Sequence, residues 1–246
     1  MATDTRDGGG RQRVALITGG TGGIGRAIAA AFSDSGYEIV VTGLASDECE
    51  QMRSDRPDWN VQQLDVRDAA EVNSTIDELL QLDVLVNAAG MILRDAKEHE
   101  LPEFEKVVAV NLTGVMRVST ACHGLLSRDH GCVLNLASML SFFGSGYVPA
   151  YSASKGGIVQ LTKSLAIAWA NDGIRVNAIA PGWIKTTMTD PLVNDRQRSQ
   201  TIIDRTPLGR WGEPVDVAGP ALFLCSPSAG FITGAVLPVD GGYSIA

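Results

Sequence analysis

Apolar residues follow two alternating rhythms along this chain. Short continuous runs of Val, Ile, Leu and Ala recur as RVALIT at 13–18, EIVVTG at 38–43, DVLVNA at 83–88, CVLNLAS at 132–138, IRVNAIA at 174–180 and AVLPV at 235–239, with a weaker VQQLDV at 61–66. Runs that do not alternate with polar residues mark strands covered on both faces, as in a parallel sheet. Helical spacing fills the intervals. IGRAIAAAFSDSG ends at a capping Gly36, and VVAVNLTGVMRVSTACHGLL reads as one long striped helix over 107–126. A third helix starts at Tyr151, sets Ile158, Leu161, Leu165 and Trp169 on one stripe, and stops near Gly173. The alternation predicts an α/β fold: an open, Rossmann-like doubly wound sheet with helices on both faces.

The twelve residues before the first run are polar and carry Gly8, Gly9 and Gly10, so 1–12 read as a flexible tail. No linker, repeat or charge block divides the rest of the chain, and 13–246 read as a single domain. With 45% apolar and 20% charged residues the balance is globular, and a chain of 246 residues needs no disulfide or metal to hold its core. The formal charge of −8 argues against nucleic acid or an anionic membrane as partner. No apolar run reaches the ~18 residues of a membrane span, and the polar start is no secretory leader, so a cytoplasmic location is expected. Cys49, Cys122, Cys132 and Cys225 form no CxxC pair and read as buried, reduced thiols. His99, His123 and His130 lack ligand spacing, so no metal site is expected.

The first run leads straight into TGGTGGIGRAIAAAF. Two glycine registers fit it: Gly20, Gly22 and Gly25 as G-x-G-x-x-G, or Gly19, Gly23 and Gly25 as T-G-x-x-x-G-x-G. Both serve one purpose, a tight turn whose backbone approaches a pyrophosphate at a helix N-terminus. A second constellation lies at Tyr151 and Lys155. Four residues apart on a helix, they point the same way, and a nearby ammonium favours a phenolate. Tyr151 thereby becomes a candidate proton donor or acceptor for an alcohol/ketone pair. Ser138, at a strand's carboxyl end, is placed to hold the same substrate oxygen, and Asn111 to relay a proton through water.

With these residues in place the sequence resembles the short-chain dehydrogenase/reductase family. The likeness is carried by TGGTGGIG at 18–25, LDV at 64–66, NAAG at 87–90, Asn111, Ser138, Tyr151 with Lys155, and PG at 181–182, and it runs from about residue 13 to VDGG at 239–242. The resemblance implies about seven parallel strands, a homotetramer, and an NAD or NADP cofactor. It implies that Gly19, Gly23, Ile24 and Gly25 line the pyrophosphate, that Asp65 and Val66 contact the adenine, and that Asn87, Ala88 and Gly90 border the ribose and nicotinamide. It further implies a catalytic tetrad of Asn111, Ser138, Tyr151 and Lys155, in which Lys155 lowers the tyrosine pKa and bonds the ribose. Pro181, Gly182, Ile184 and Thr186 would hold the carboxamide end. The chain departs from the family pattern at Ala88, where an asparagine is usual. It also departs at Gly43 and Leu44, which supply neither the acid typical of NAD users nor the base typical of NADP users. Losing a charge-assisted pair weakens NADP more than losing one ribose bond weakens NAD, so NAD is favoured.

Within the family the segments around Ser138 and after residue 198, together with GMILRD, are similar to sugar-acid dehydrogenases of the 2-deoxy-D-gluconate 3-dehydrogenase and gluconate 5-dehydrogenase kind. A small sugar-acid substrate carries a carboxylate that an arginine grips bidentately. Arg94 is the first candidate, with Arg205 and Arg210 behind it. Residues 182–212 follow a strand end without an apolar period and read as a lid. Trp183 and Trp211 bracket the lid and either cover a sugar face or pack in the core. Two alternatives stand beside a sugar-acid oxidoreductase: a biosynthetic carbonyl or 3-ketoacyl reductase, and a non-catalytic dinucleotide-binding regulator.

Overall fold

The structure, a computed structural model, describes residues 11–246. Residues 1–10, most of the expected tail, lie outside it. Arg11 and Gln12, the last two residues assigned to that tail, are fastened to the domain. The Arg11 guanidinium pairs with Asp83 at 2.8 Å and Asp129 at 3.0 Å, and the Gln12 amide donates to the Gly36 carbonyl at 3.1 Å.

All seven apolar runs form strands: β1 (Val14–Thr18), β2 (Glu38–Gly43), β3 (Asn60–Gln63), β4 (Val84–Asn87), β5 (Cys132–Leu136), β6 (Arg175–Pro181) and β7 (Val236–Val239). Every pairing is parallel, in the order β3-β2-β1-β4-β5-β6-β7. The helices are α1 (Gly23–Asp34), α2 (Ser46–Asp55), α3 (Ala69–Asp77), α4 (Leu101–Val108), α5 (Val115–Arg128), α6 (Pro149–Ala168), α7 (Asp190–Val193), α8 (Arg196–Arg205) and α9 (Pro214–Cys225). Side chains alternate across the sheet. Ala15 and Ile17 of β1 join Ile28 and Phe32 of α1 and Val217 and Ala221 of α9, while Val14 and Leu16 join Val72 of α3 and Val118 and Leu126 of α5. Two buried layers therefore sandwich the sheet, which is why its strands read as continuous apolar runs.

The expected single helix over 107–126 is two helices joined by one wide π-helical turn, Ala109–Gly114. Such turns insert an extra residue at functional sites. Here the turn holds Asn111, and Gly114 allows close approach to β3's continuation, since a Cβ there would sit 2.7 Å from Val66 Cγ2.

The strand order reverses between β1 and β4, the switch point where open α/β sheets bind ligands. Gly19 closes that crevice. It has φ +66°, and a Cβ on it would lie 2.7 Å from the Ala89 backbone.

Candidate active site

The carboxyl ends of β1, β2, β4, β5 and β6 open into one cleft of about 1390 Å³, roomier than the ~300–1,000 Å³ of most small-ligand sites. Its floor is the glycine turn. α1 begins at Gly22 with no side-chain cap and no acid in its first turn, so its amides face the cleft unclaimed by side chains. A Cβ at Gly22 would meet nothing within 4 Å and would occupy cleft space. This open anionic cradle, with length to spare, fits the dinucleotide implied by the sequence. Gly19, Gly23, Ile24, Gly25, Asp65, Val66, Ala88, Gly90, Pro181, Gly182, Ile184 and Thr186 all line the cleft. When bound, such a cofactor supplies the acceptor or donor of a hydride.

Asn87 is the exception. Alternation along β4 turns its side chain away from the cleft, and it is buried in a polar ladder, donating to Ser119 Oγ at 3.0 Å and Asn135 Oδ1 at 2.9 Å. This ladder ties β4 to β5 and takes the Asn87 side chain, leaving only its backbone to border the cofactor site. Ala88 departs from the usual asparagine without loss to the backbone, because its N–H bonds the Thr18 carbonyl at 3.1 Å.

Ser138, Tyr151 and Lys155 converge on the cleft wall. Ser138 follows β5 and caps a short turn, where its Oγ accepts from Leu140 N at 3.2 Å. Tyr151 stands in the first turn of α6, started by Pro149, with its phenol near enough to Ser138 for the serine to favour its ionised form. Lys155 lies one turn on, with Nζ 5.6 Å from the Tyr151 ring centre and donating to the Leu136 carbonyl at 2.6 Å. The electrostatics differ from the expectation that Lys155 lowers the tyrosine pKa. Burial pushes the phenol above its usual range, Ser138 pulls it down, and Glu98 adds to the rise. The ammonium itself is pushed down to about 8 by burial. Burial is the largest influence on both groups.

Asn111 is also placed differently from the expected water relay. Its Oδ1 accepts from Met91 N at 2.8 Å, and its Nδ2 donates to Met91 O at 2.9 Å and Ser154 Oγ at 3.2 Å. Both amide hydrogens are used, so the side chain clamps the loop after β4 and is left with acceptor oxygen alone to offer a water.

Residues 182–212, where a lid is expected, form a closed loop. Its neck is a parallel bridge between Ile184 and Gly212, flanked by Trp183 and Trp211 edge to face with centres 5.8 Å apart. Trp211 is core, bonding Ser199 Oγ at 2.9 Å, while Trp183 lines the cleft. Arg210 is turned out of the cleft into a two-pronged pair with Asp216, at 2.7 and 2.9 Å, so this candidate has no free fork for a substrate. Arg94 and Arg205 do line it. Arg94 donates to the Met188 carbonyl across the cleft at 2.7 Å. Arg205 stacks 4.3 Å above the Tyr243 ring and 5.6 Å from Phe143. Sequence reasoning missed Tyr243, Phe143, Ser154 and Glu98. Ser154 alone carried a signal, its helical spacing from Tyr151.

A cleft that seats a dinucleotide beside a hydroxyl, a phenol and an ammonium can move a hydride and a proton together, and the chain is an NAD(P)-dependent oxidoreductase acting on CH–OH groups. Residues 19–244 match the family model described as enoyl-(acyl carrier protein) reductase. The chain is 40% identical over 240 residues to the 2-dehydro-3-deoxy-D-gluconate 5-dehydrogenase of Bacillus subtilis, covering 94% of each. It is 37% identical to that of Escherichia coli, covering 94% of this chain and 95% of the other. Among solved structures it resembles a gluconate 5-dehydrogenase from Burkholderia cenocepacia in complex with NADP and tartrate, with TM-score 0.88, 34% identity, and coverage of 95% and 96%. The chain belongs to the short-chain dehydrogenase/reductase family.

Proposed function

We propose that this protein interconverts a secondary alcohol and a ketone on a sugar acid of the gluconate or 2-dehydro-3-deoxygluconate kind, using NAD. In the oxidising direction Ser138 and Tyr151 hold the substrate oxygen. Tyr151 in its ionised form takes the O–H proton while the adjoining carbon gives up a hydride, which a bound nicotinamide would accept; in reduction the neutral phenol donates the proton back to the substrate oxygen. Lys155 holds its charge beside the phenol.

The observation that carries the sugar-acid reading is Arg205. Its guanidinium is stacked on Tyr243, has no acidic partner among the described residues, and keeps its in-plane donors free at the cleft. A carboxylate fills that fork; a neutral polyol does not. Arg94 faces the same space. Arg205→Ala should raise KM for an aldonate about 10–100-fold, the equivalent of one charge-assisted bond, and leave KM for a neutral polyol within about twofold. Equal effects on both substrates would refute a carboxylate role for Arg205, and the same assay on Arg94→Ala ranks the two. A second reading, a reductase of ketoacyl or other bulky ketones, draws on the description of the family model. Turnover of ketoacyl thioesters in preference to aldonates would establish it.

The preference for NAD is supported at the far end of the cleft. Gly43 has no room for a side chain, since a Cβ would lie 2.5 Å from Thr21 Cγ2. An acid reaches the same region from α2 instead: Glu48 lines the cleft and accepts from Thr21 Oγ1 at 3.4 Å. A carboxylate there opposes a 2′-phosphate. Fluorescence titration of the free protein should give tighter binding of NAD than NADP, and Glu48→Gln should improve NADP affinity about tenfold, removing ~1.4 kcal/mol of repulsion. Tighter NADP binding by the unaltered protein would overturn the preference.

A homotetramer is the proposed assembly. It is supported by exposed apolar residues in two places, Met116 and Ile167 on α5 and α6, and Phe223 on α9 with Phe231 in the link to the edge strand β7. A one-chain mass in light scattering would rule it out.

A further inference from the structure

Both backbone groups of Tyr151 are held from outside the ordinary helix ladder. Its carbonyl accepts from Ser154 Oγ at 2.7 Å, and Ser154 Oγ accepts in turn from Asn111 Nδ2 at 3.2 Å. Its N–H donates to Glu98 Oε2 at 2.8 Å. That amide needs a partner, because the residue before α6 is Val148, whose side chain caps nothing. The other oxygen, Glu98 Oε1, accepts from Leu93 N at 2.9 Å, and Asn111 grips both backbone groups of Met91 two residues earlier. Met91, Ile92 and Arg94 line the cleft, so one short stretch of its wall is tied twice to the peptide that carries the phenol.

Glu98 is an expensive way to make this tie. Its relative exposure is 0%, and no cation pairs with it among the described residues. A buried carboxylate is tolerated only when its oxygens are hydrogen-bonded, and an apolar residue serves ordinary packing as well. The chain also bends sharply to deliver it. Asp95 and Ala96 adopt φ +59° and +60°, the left-handed region that side-chain-bearing residues rarely enter and that strained functional segments use.

We infer that Glu98 is a positioning residue that couples loop 91–93 to the first turn of α6 and so fixes the Tyr151 phenol against the substrate oxygen. This rests on the reading of Tyr151 as the proton-exchanging group. An N–H···carboxylate pair on each side makes the loop and the phenol move as one body. A substrate seated against this part of the wall and its proton partner then keep their register.

The test uses the full-length chain with Glu98→Gln, Glu98→Ala and Tyr151→Phe. Glu98→Gln keeps an acceptor for one amide but turns a donor toward the other. It should lower kcat about tenfold, and Glu98→Ala about a hundredfold, with NAD affinity by fluorescence within about twofold of the unaltered protein in both. Hydrogen exchange on the unloaded protein should show protection lost together at the Leu93 and Tyr151 amides. Tyr151→Phe should remove turnover and leave that protection intact. If the folded Glu98 variants keep full kcat while Tyr151→Phe is inactive, the coupling is refuted and the tyrosine's role stands. If Tyr151→Phe is active, the reading of the tyrosine falls and the inference with it. Exchange that rises at one amide alone would also overturn the coupling.

Discussion

Lys155→Met should cut turnover by orders of magnitude and yet make the protein more stable relative to the unaltered chain as the pH is lowered to neutrality. Lys155 is 5% exposed, and its ammonium has one described hydrogen bond, to the Leu136 carbonyl at 2.6 Å, with no acidic partner among the described residues. Burial pushes it down from an ordinary 10.5 to about 8. At ~1.36 kcal/mol per unit, keeping this group charged costs the folded state about 3 kcal/mol. The depressed value fixes the sign. Relative to its neutral form, the lysine's contribution to stability is highest above pH 10.5. It falls as pH drops through the interval, and the full cost is present below about pH 8. Methionine escapes the cost but leaves the Leu136 carbonyl without its donor, at about 1–3 kcal/mol. The net gain at pH 7 is therefore about 1 kcal/mol, or roughly 2–4 °C in Tm for a chain of this size. Thermal melts of both proteins between pH 6 and 10.5 check the sign: the stability difference should favour the variant most below pH 8 and move steadily toward the unaltered protein above it. A difference independent of pH would show that the ammonium is not desolvated. Activity should fall about 10²–10⁴-fold, the usual worth of acid–base assistance. Stability would rise because function was surrendered.

Gly25→Ala has the largest expected structural effect. Gly25 sits in the first turn of α1, where a Cβ would run into the Gly19 carbonyl oxygen and lie 2.9 Å from its carbon and 3.2 Å from Gly20 Cα. All three are backbone atoms, so no rotamer change relieves the clash. The glycine turn must move off the helix start, which costs about 1–3 kcal/mol and spoils the anion cradle. Gly22→Ala is the control. Its φ is −151°, ordinary extended backbone, and a Cβ would meet nothing within 4 Å, so its melting temperature should stay within about a degree of the unaltered protein. Equal melting of the alanine variants would show that the close approach at Gly25 is not real.

These two cases mark how far the sequence could be read. The strands were legible because a doubly covered parallel sheet needs near-continuous apolar runs, and Val14–Thr18 or Val84–Asn87 contain little else. The glycine turn and the Tyr151–Lys155 pair were legible because local spacing alone determines their geometry. The break in the 107–126 helix was not, since a wide turn at Asn111 depends on what the Asn111 amide meets across the fold, the backbone of Met91. Nor was the fate of the three arginines. Arg210 looked as available as Arg205 until folding set Asp216 beside one and Tyr243 beneath the other.

The sequence by itself determined the layers of this protein, its anion-binding turn and the order of its reacting groups. These follow from periods of two to four residues, over which the chain controls its own geometry. Tertiary structure alone decided which charges are spent and which are free, why burial rather than the nearby ammonium governs the phenol, and that a glutamate in an apparently solvated run, DAKEHE, is buried against Tyr151. Those outcomes depend on desolvation and on partners roughly fifty residues away, such as Tyr151 from Glu98 at a separation of 53, and no local pattern encodes them.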